Sequence, residues 1–136
     1  MILLINTAES AVVFVGLLNN GILIDSLILS GHQRQSDKLL ALIDKILRNN
    51  KVKLATIKGI AVVKGPGSFT SLRIGVVVAN TLAWSLKLPI LGVLVSDFES
   101  KSKIVKLENK IKAAQGKAPK IIEPVYGAEP NITLKK

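Results

Sequence analysis

Between Ile57 and Gly75 an apolar, β-branched run passes through Gly65-Pro66-Gly67 into a long apolar segment, and a second apolar run follows from Ile90 to Val95. Strand, tight turn, helix, strand is the pattern of a parallel crossover, which limits the fold more than any other feature of this chain. Proline fixes φ and the flanking glycines tolerate φ > 0, so the turn is short. Ser68 suits the N-cap of a helix over Phe69–Lys87, and Pro89 ends it. Both strands are apolar throughout, so each needs cover on both faces, which demands an α/β layered fold.

Upstream, Met1–Ile5, Ala11–Leu18 and Gly21–Leu29 read as strands, the last two joined at Asn19-Asn20-Gly21, a strong hairpin signal. Ser36 is placed to cap a helix to about Asn50, with Asp37 in its first turn and Leu39, Leu42, Ile43, Ile46 and Leu47 on one face. The order β-β-β-α-β-α-β predicts three antiparallel strands joined to two parallel ones. This is the ribonuclease-H-like mixed five-stranded sheet of actin, Hsp70 and sugar kinases, with helices on both faces in a single lobe. Ser96-Asp97-Phe98-Glu99 forms a capping box, so a third helix is expected from about Asp97 to Gln115, with Gly116 left-handed behind it. Ile104, Leu107, Ile111 and Ala114 give that helix a narrow stripe for docking on the sheet. Residues 117–136 carry three prolines and no helical period. Ile121, Ile122, Val125 and Tyr126 either dock as an edge strand or fray. The organisation read from this is a domain over 1–95, a helix over 96–116 and an extended basic tail over 117–136.

A glycine turn between strand and helix aims backbone N–H groups above the sheet, so phosphate is the first ligand to test. Neither generic motif is complete. Gly65-x-Gly67-x-x is followed by Thr70 rather than a third glycine, and the Walker Gly-Lys pair is absent. Thr7, Gly65, Gly67, Ser68 and Thr70 stand as candidate phosphate or loop contacts, beside the alternative of a purely structural turn. One histidine and no cysteine leave no basis for a zinc or iron site. His32 reads as a loop or helix-entry residue. With 49% hydrophobic residues the chain is not a disordered one, and with 4% aromatic residues its core must be aliphatic. No apolar run reaches the ~20 residues of a membrane span, and MILLIN lacks the basic lead of a signal peptide. The expectation is a cytoplasmic protein with no membrane partner.

At 100° per residue the central helix puts Leu72, Ile74, Gly75, Val76, Val78, Ala79, Leu82, Ala83 and Leu86 on one wide apolar arc. Gly75, Ala79 and Ala83 form a small-residue line along it. Arg73, Val77, Asn80, Trp84 and Lys87 fall on the other side. Trp and Arg with an apolar and a polar neighbour resemble the centre of a protein interface; the alternative is that Trp84 packs under the C-terminal segment. Charge is uneven: residues 101–136 hold nine lysines and three glutamates, so they carry +6 of the +10 total. Such a segment is either a solvated lysine face or a contact for nucleic acid.

GPGSFTSLRIGVVVANTLAWSLKLPILGV, Gly65 to Val93, resembles the signature of the TsaB (YeaZ) family. These are partner subunits of the bacterial machinery that places threonylcarbamoyl on the adenosine next to the tRNA anticodon. MILLINTAESAVVFVGLLNNGILIDSLIL resembles the family's opening strand, threonine loop and hairpin, and SGHQRQSDKLLALIDKILRNN its first helix. The likeness covers roughly residues 1–95, and PVYGAEPNI, Pro124 to Ile132, resembles the closing segment. Most of the family's second domain has no counterpart between the two. The resemblance implies the same ribonuclease-H-like fold and a non-catalytic scaffold or activating subunit. Its first two helices would meet a TsaD-like catalytic subunit or a second copy, with Leu40, Leu47, Arg73, Val77, Asn80 and Trp84 at the contact. It also implies a TsaE-like ATPase in the same system, adenine nucleotide at the assembly but no cofactor of the chain's own, and tRNA met indirectly or through the basic C-terminus. In this superfamily the loop after the first strand presents an aspartate that works through magnesium-bound phosphate. Here Asn6 stands there, and a neutral amide cannot balance a divalent cation. The rival readings are an ATP-binding phosphotransferase-like half domain using Thr7, Glu9 and the Gly65–Ser68 turn, and a basic RNA-binding module.

Overall fold

A computed structural model describes residues 1–31, 34–98, 101–114 and 121–125. Five strands form one sheet: β1 (Ile2–Asn6), β2 (Val12–Asn19), β3 (Ile22–Ser30), β4 (Gly59–Gly65) and β5 (Ile90–Leu94), in the order β3-β2-β1-β4-β5. The first three pair antiparallel, with Ile2 opposite Leu18 and Val15 opposite Leu27. β4 and β5 join parallel to β1, with Ile2 beside Gly59 and Ile60 beside Ile90. The mixed sheet expected from the sequence is the one observed. Asn20 and Gly21 turn the hairpin at φ 52° and 75°, the left-handed pair that a two-residue turn between twisted strands requires.

Among the described residues three helices cover the sheet: α1 (Gln35–Asn49), α2 (Phe69–Leu86) and α3 (Lys101–Ala113). Alternation along the strands divides the core between the faces. Leu3, Ile5, Val15, Ile60 and Val62 point toward α1 and α2 and meet Leu39, Ile46, Val76 and Ala79. Ile2, Leu4, Ala61 and Val63 point the other way and meet Leu107 and Ile111 of α3. β1 and the start of β4 are buried on both sides, which is why their sequences are unbroken apolar runs. The apolar arc expected on α2 holds: Leu72, Gly75, Val76, Ala79 and Ala83 are buried, and Ile74, Val78, Leu82 and Leu86 half-buried. By length and composition alone α2 passes for a short membrane span, yet this arc is docked on the sheet.

Several boundaries differ from the sequence reading. α1 begins at Gln35, so Ser36 is inside the helix and not its cap; Arg34 takes that position at φ 54° without a side-chain cap. Gln35 is buried because its Nε2 donates to Ser71 Oγ at 3.3 Å. The strand expected from Ile57 starts at Gly59, behind a short 3₁₀ turn over Leu54–Thr56. Ser68 does stand at the N-cap of α2, though its hydroxyl makes no capping bond. Val95–Phe98 form a 3₁₀ turn where the third helix was expected to begin, and Asp97 accepts the Leu94 N–H at 3.0 Å instead of opening a helix. Ile121–Val125 is docked, but not as a strand. His32, Glu99, Gln115, Gly116 and Tyr126 lie outside the described residues, and the side chain of Ile104 is not described.

Candidate functional site

In an α/β sheet, ligands sit beyond the carboxyl ends of the parallel strands. Here those ends are Asn6, Gly65 and Leu94, and the chain itself fills the space between the first two. Thr7 is buried, and its hydroxyl donates to the Ser71 carbonyl at 2.6 Å. Ser71 Oγ in turn accepts the Ala11 N–H at 3.2 Å. Asn6 Oδ1 accepts the Ala8 N–H at 3.0 Å, so this amide closes its own loop. The Ala8 carbonyl accepts the Ser68 N–H at 2.8 Å, occupying a donor that an anion would need. A Cβ on Gly67 would overlap that same carbonyl, and one on Gly65 would overlap the carbonyl of Val125. Gly65 also sits at φ 139°, where side chains are strained.

The turn therefore reads as structural. Of the candidate phosphate or loop contacts, Thr7 is bonded to Ser71 and Ser68 to Ala8, Gly67 lies against Ala8, and Gly65 lies against Val125. Thr70 remains exposed. Glu9 is also exposed, and among the described residues no group of three acidic or histidine side chains is placed to hold a metal ion.

Residues 121–125 cross the other side of this corner. Asn80 Nδ2 donates to the Ile122 carbonyl at 2.9 Å, and Asn80 Oδ1 accepts the Ile122 N–H at 2.9 Å. The Val125 N–H donates to the Lys64 carbonyl at 2.6 Å. Ile122 packs over Gly92, where a Cβ would approach it to 2.8 Å. Asn80, expected at a partner contact, is thus committed to the chain's own backbone. Sequence gave no signal of this, because the two residues are 42 positions apart.

The outward side of the helical layer is different. Trp84 is 73% exposed and Val77 60% exposed, two turns apart on α2, so among the described residues nothing packs over Trp84. Arg73 stands one turn before Val77, its guanidinium 5.5 Å from the ring centroid of Phe69, itself 45% exposed. Beside them a groove of about 310 Å³ opens between the two helices, lined by Ser36, Thr70, Arg73, Ile74, Val77 and Val78. Leu40 on α1 is 49% exposed and borders a second groove of about 270 Å³. Leu47 forms the floor of that groove and is buried at 6%, which removes it from the expected contact surface. Four of the six expected contact residues, Leu40, Arg73, Val77 and Trp84, are thus exposed on the outer helical layer. Phe69 was missed, although its place four residues before Arg73 is the spacing at which helical side chains meet.

The model of the family described as "TsaD: tRNA N6-adenosine threonylcarbamoyltransferase" matches residues 30–119. The tRNA threonylcarbamoyladenosine biosynthesis protein TsaB of Buchnera aphidicola (subsp. Schizaphis graminum) is 45% identical over 56 residues, 41% of this chain and 27% of the relative. TsaB of Bacillus subtilis is 39% identical over 61 residues, 45% of this chain and again 27% of the relative. The solved structure of YeaZ from Pseudomonas aeruginosa superposes with a TM-score of 0.62 at 30% identity, over 68% of this chain and 43% of that one. The match thus spans about a quarter of these curated relatives and less than half of the solved structure.

Proposed function

Because this chain belongs to the TsaD-type threonylcarbamoyltransferase family, and within it to the TsaB (YeaZ) kind, we propose that it serves tRNA threonylcarbamoyladenosine biosynthesis as a non-catalytic partner subunit. In this reading it binds a TsaD-like catalytic subunit through the outward faces of α1 and α2. The carrying observation is the line Arg73–Val77–Trp84, where the only tryptophan stands 73% exposed beside an exposed valine. Exposed aromatic and apolar groups with an arginine on one rigid helix fit an interface anchor, and leaving them uncovered disfavours solubility. The filled corner at Gly65–Ser68 and Asn6 in place of an acid support the absence of turnover in this chain. Adenine nucleotide and a TsaE-like ATPase then belong to the assembly, in the cytoplasm, and the chain needs no cofactor of its own. A second copy of the chain is the other occupant this surface admits.

The test is co-expression with a TsaD-like subunit. A stable complex by light scattering, and threonylcarbamoyl transfer to tRNA that depends on adding this chain, are expected. The proposal fails if the two proteins elute separately and transfer runs equally fast without the chain.

A further inference from the structure

α3 packs on the face of the sheet opposite to α1 and α2. α3 contains one acidic residue among the lysines 101, 103, 106, 110 and 112. That residue, Glu108, is buried, and its carboxylate accepts the N–H groups of Asn20 and Gly21 at 3.0 and 2.6 Å. Lys112 is its ion-pair partner at 3.6 Å. The helix's negative charge is therefore spent on the tip of the β2–β3 hairpin and on Lys112. Lys106 and Lys110 are exposed, one turn apart, and neither has an ion-pair partner among the described residues.

We infer that the flank of α3 bearing Lys106 and Lys110 is a contact surface for the phosphodiester backbone of a nucleic acid, and that the nucleic acid is a folded RNA. Two exposed cations one turn apart, held on a helix that the sheet fixes, suit a polyanion. The helix has no aromatic side chain, so it offers no base stacking, and binding should be insensitive to base sequence. A membrane surface fits less well. Peripheral helices bury their apolar face in lipid, whereas Leu107 and Ile111 are 3% and 1% exposed against the sheet. The basic surface stands on α3 alone, whereas the choice of RNA over DNA rests on the proposed part in tRNA threonylcarbamoyladenosine biosynthesis, though not on binding a TsaD-like subunit.

The probe is a labelled tRNA-sized folded RNA, with anisotropy measured between roughly 50 and 200 mM salt. Lys106→Gln/Lys110→Gln should lower the slope of log affinity against log salt by about 2 and weaken binding on the order of tenfold. Lys51→Gln/Lys53→Gln, an equal charge change on the loop after α1, should leave both unchanged. Melting temperature reports that each variant folds. A duplex DNA of the same length and anionic phospholipid vesicles are measured in parallel, and RNA should bind more tightly than either. The inference is overturned by no RNA binding at the lowest salt, by a slope the α3 variant does not change, by equal losses in the two variants, or by preference for DNA or vesicles.

Discussion

Asn80→Ala tests whether residues 121–125 are part of the fold or merely lie on it. The amide makes two neutral bonds to the Ile122 backbone, both 2.9 Å and part-buried. At ~0.5–1.5 kcal/mol net for each, their loss costs about 2 kcal/mol, less whatever entropy the released segment recovers. For a domain of this size each kcal/mol moves the melting temperature by about 4 °C, so a fall of about 8 °C is expected. The decisive measurement is a double-mutant cycle with a chain ending at residue 119. If Asn80 acts through Ile122, the substitution costs almost nothing in the shortened chain, and the coupling energy approaches the whole of the single-variant effect. Equal costs in both backgrounds would show that Asn80 stabilises α2 by some other route and that the two hydrogen bonds to Ile122 carry no stability.

Trp84→Ala should weaken association with a TsaD-like subunit or a second copy by about 2 kcal/mol, roughly 30-fold, and leave the melting temperature of the free chain unchanged; sedimentation and thermal melts check the two halves. Glu108→Ala leaves the Asn20 and Gly21 N–H groups without their acceptor, and a loss of about 3 kcal/mol by urea denaturation is expected. In Gly75→Ala the new methyl overlaps Thr7 Oγ1, which is held by its bond to the Ser71 carbonyl, so a cost of about 1–3 kcal/mol is expected at unchanged secondary structure by circular dichroism. Asn6→Asp should keep the loop bond to Ala8 and produce no magnesium-dependent ATP hydrolysis, because Thr7 and Ser68 remain engaged within the chain; phosphate release above the unsubstituted background would refute this.

Local sequence determined the elements. The hairpin at Asn20-Gly21, the crossover through Gly65–Gly67 and the arc of α2 are each written in neighbouring residues, through allowed φ and through the periods of 2 and 3.6. Exposure of Val77 and Trp84 was legible for the same reason, since it follows from which side of one helix faces the sheet. Only the tertiary structure decided what distant segments do to one another. Ser36 could not be excluded as a cap until Gln35 was found bonded to Ser71, and Leu47 could not be placed on the groove floor before the 3₁₀ turn at Leu54–Thr56 was known to pack beside it. From sequence the glycine turn is either a phosphate contact or a structural turn, and only the fold sets Ala8 and Val125 against it and brings Glu108 to the hairpin tip, 87 residues away. Hydrogen-bond capacity is a local property of a residue, but whether it is satisfied by solvent, by a ligand or by the chain itself depends on which segments folding brings together.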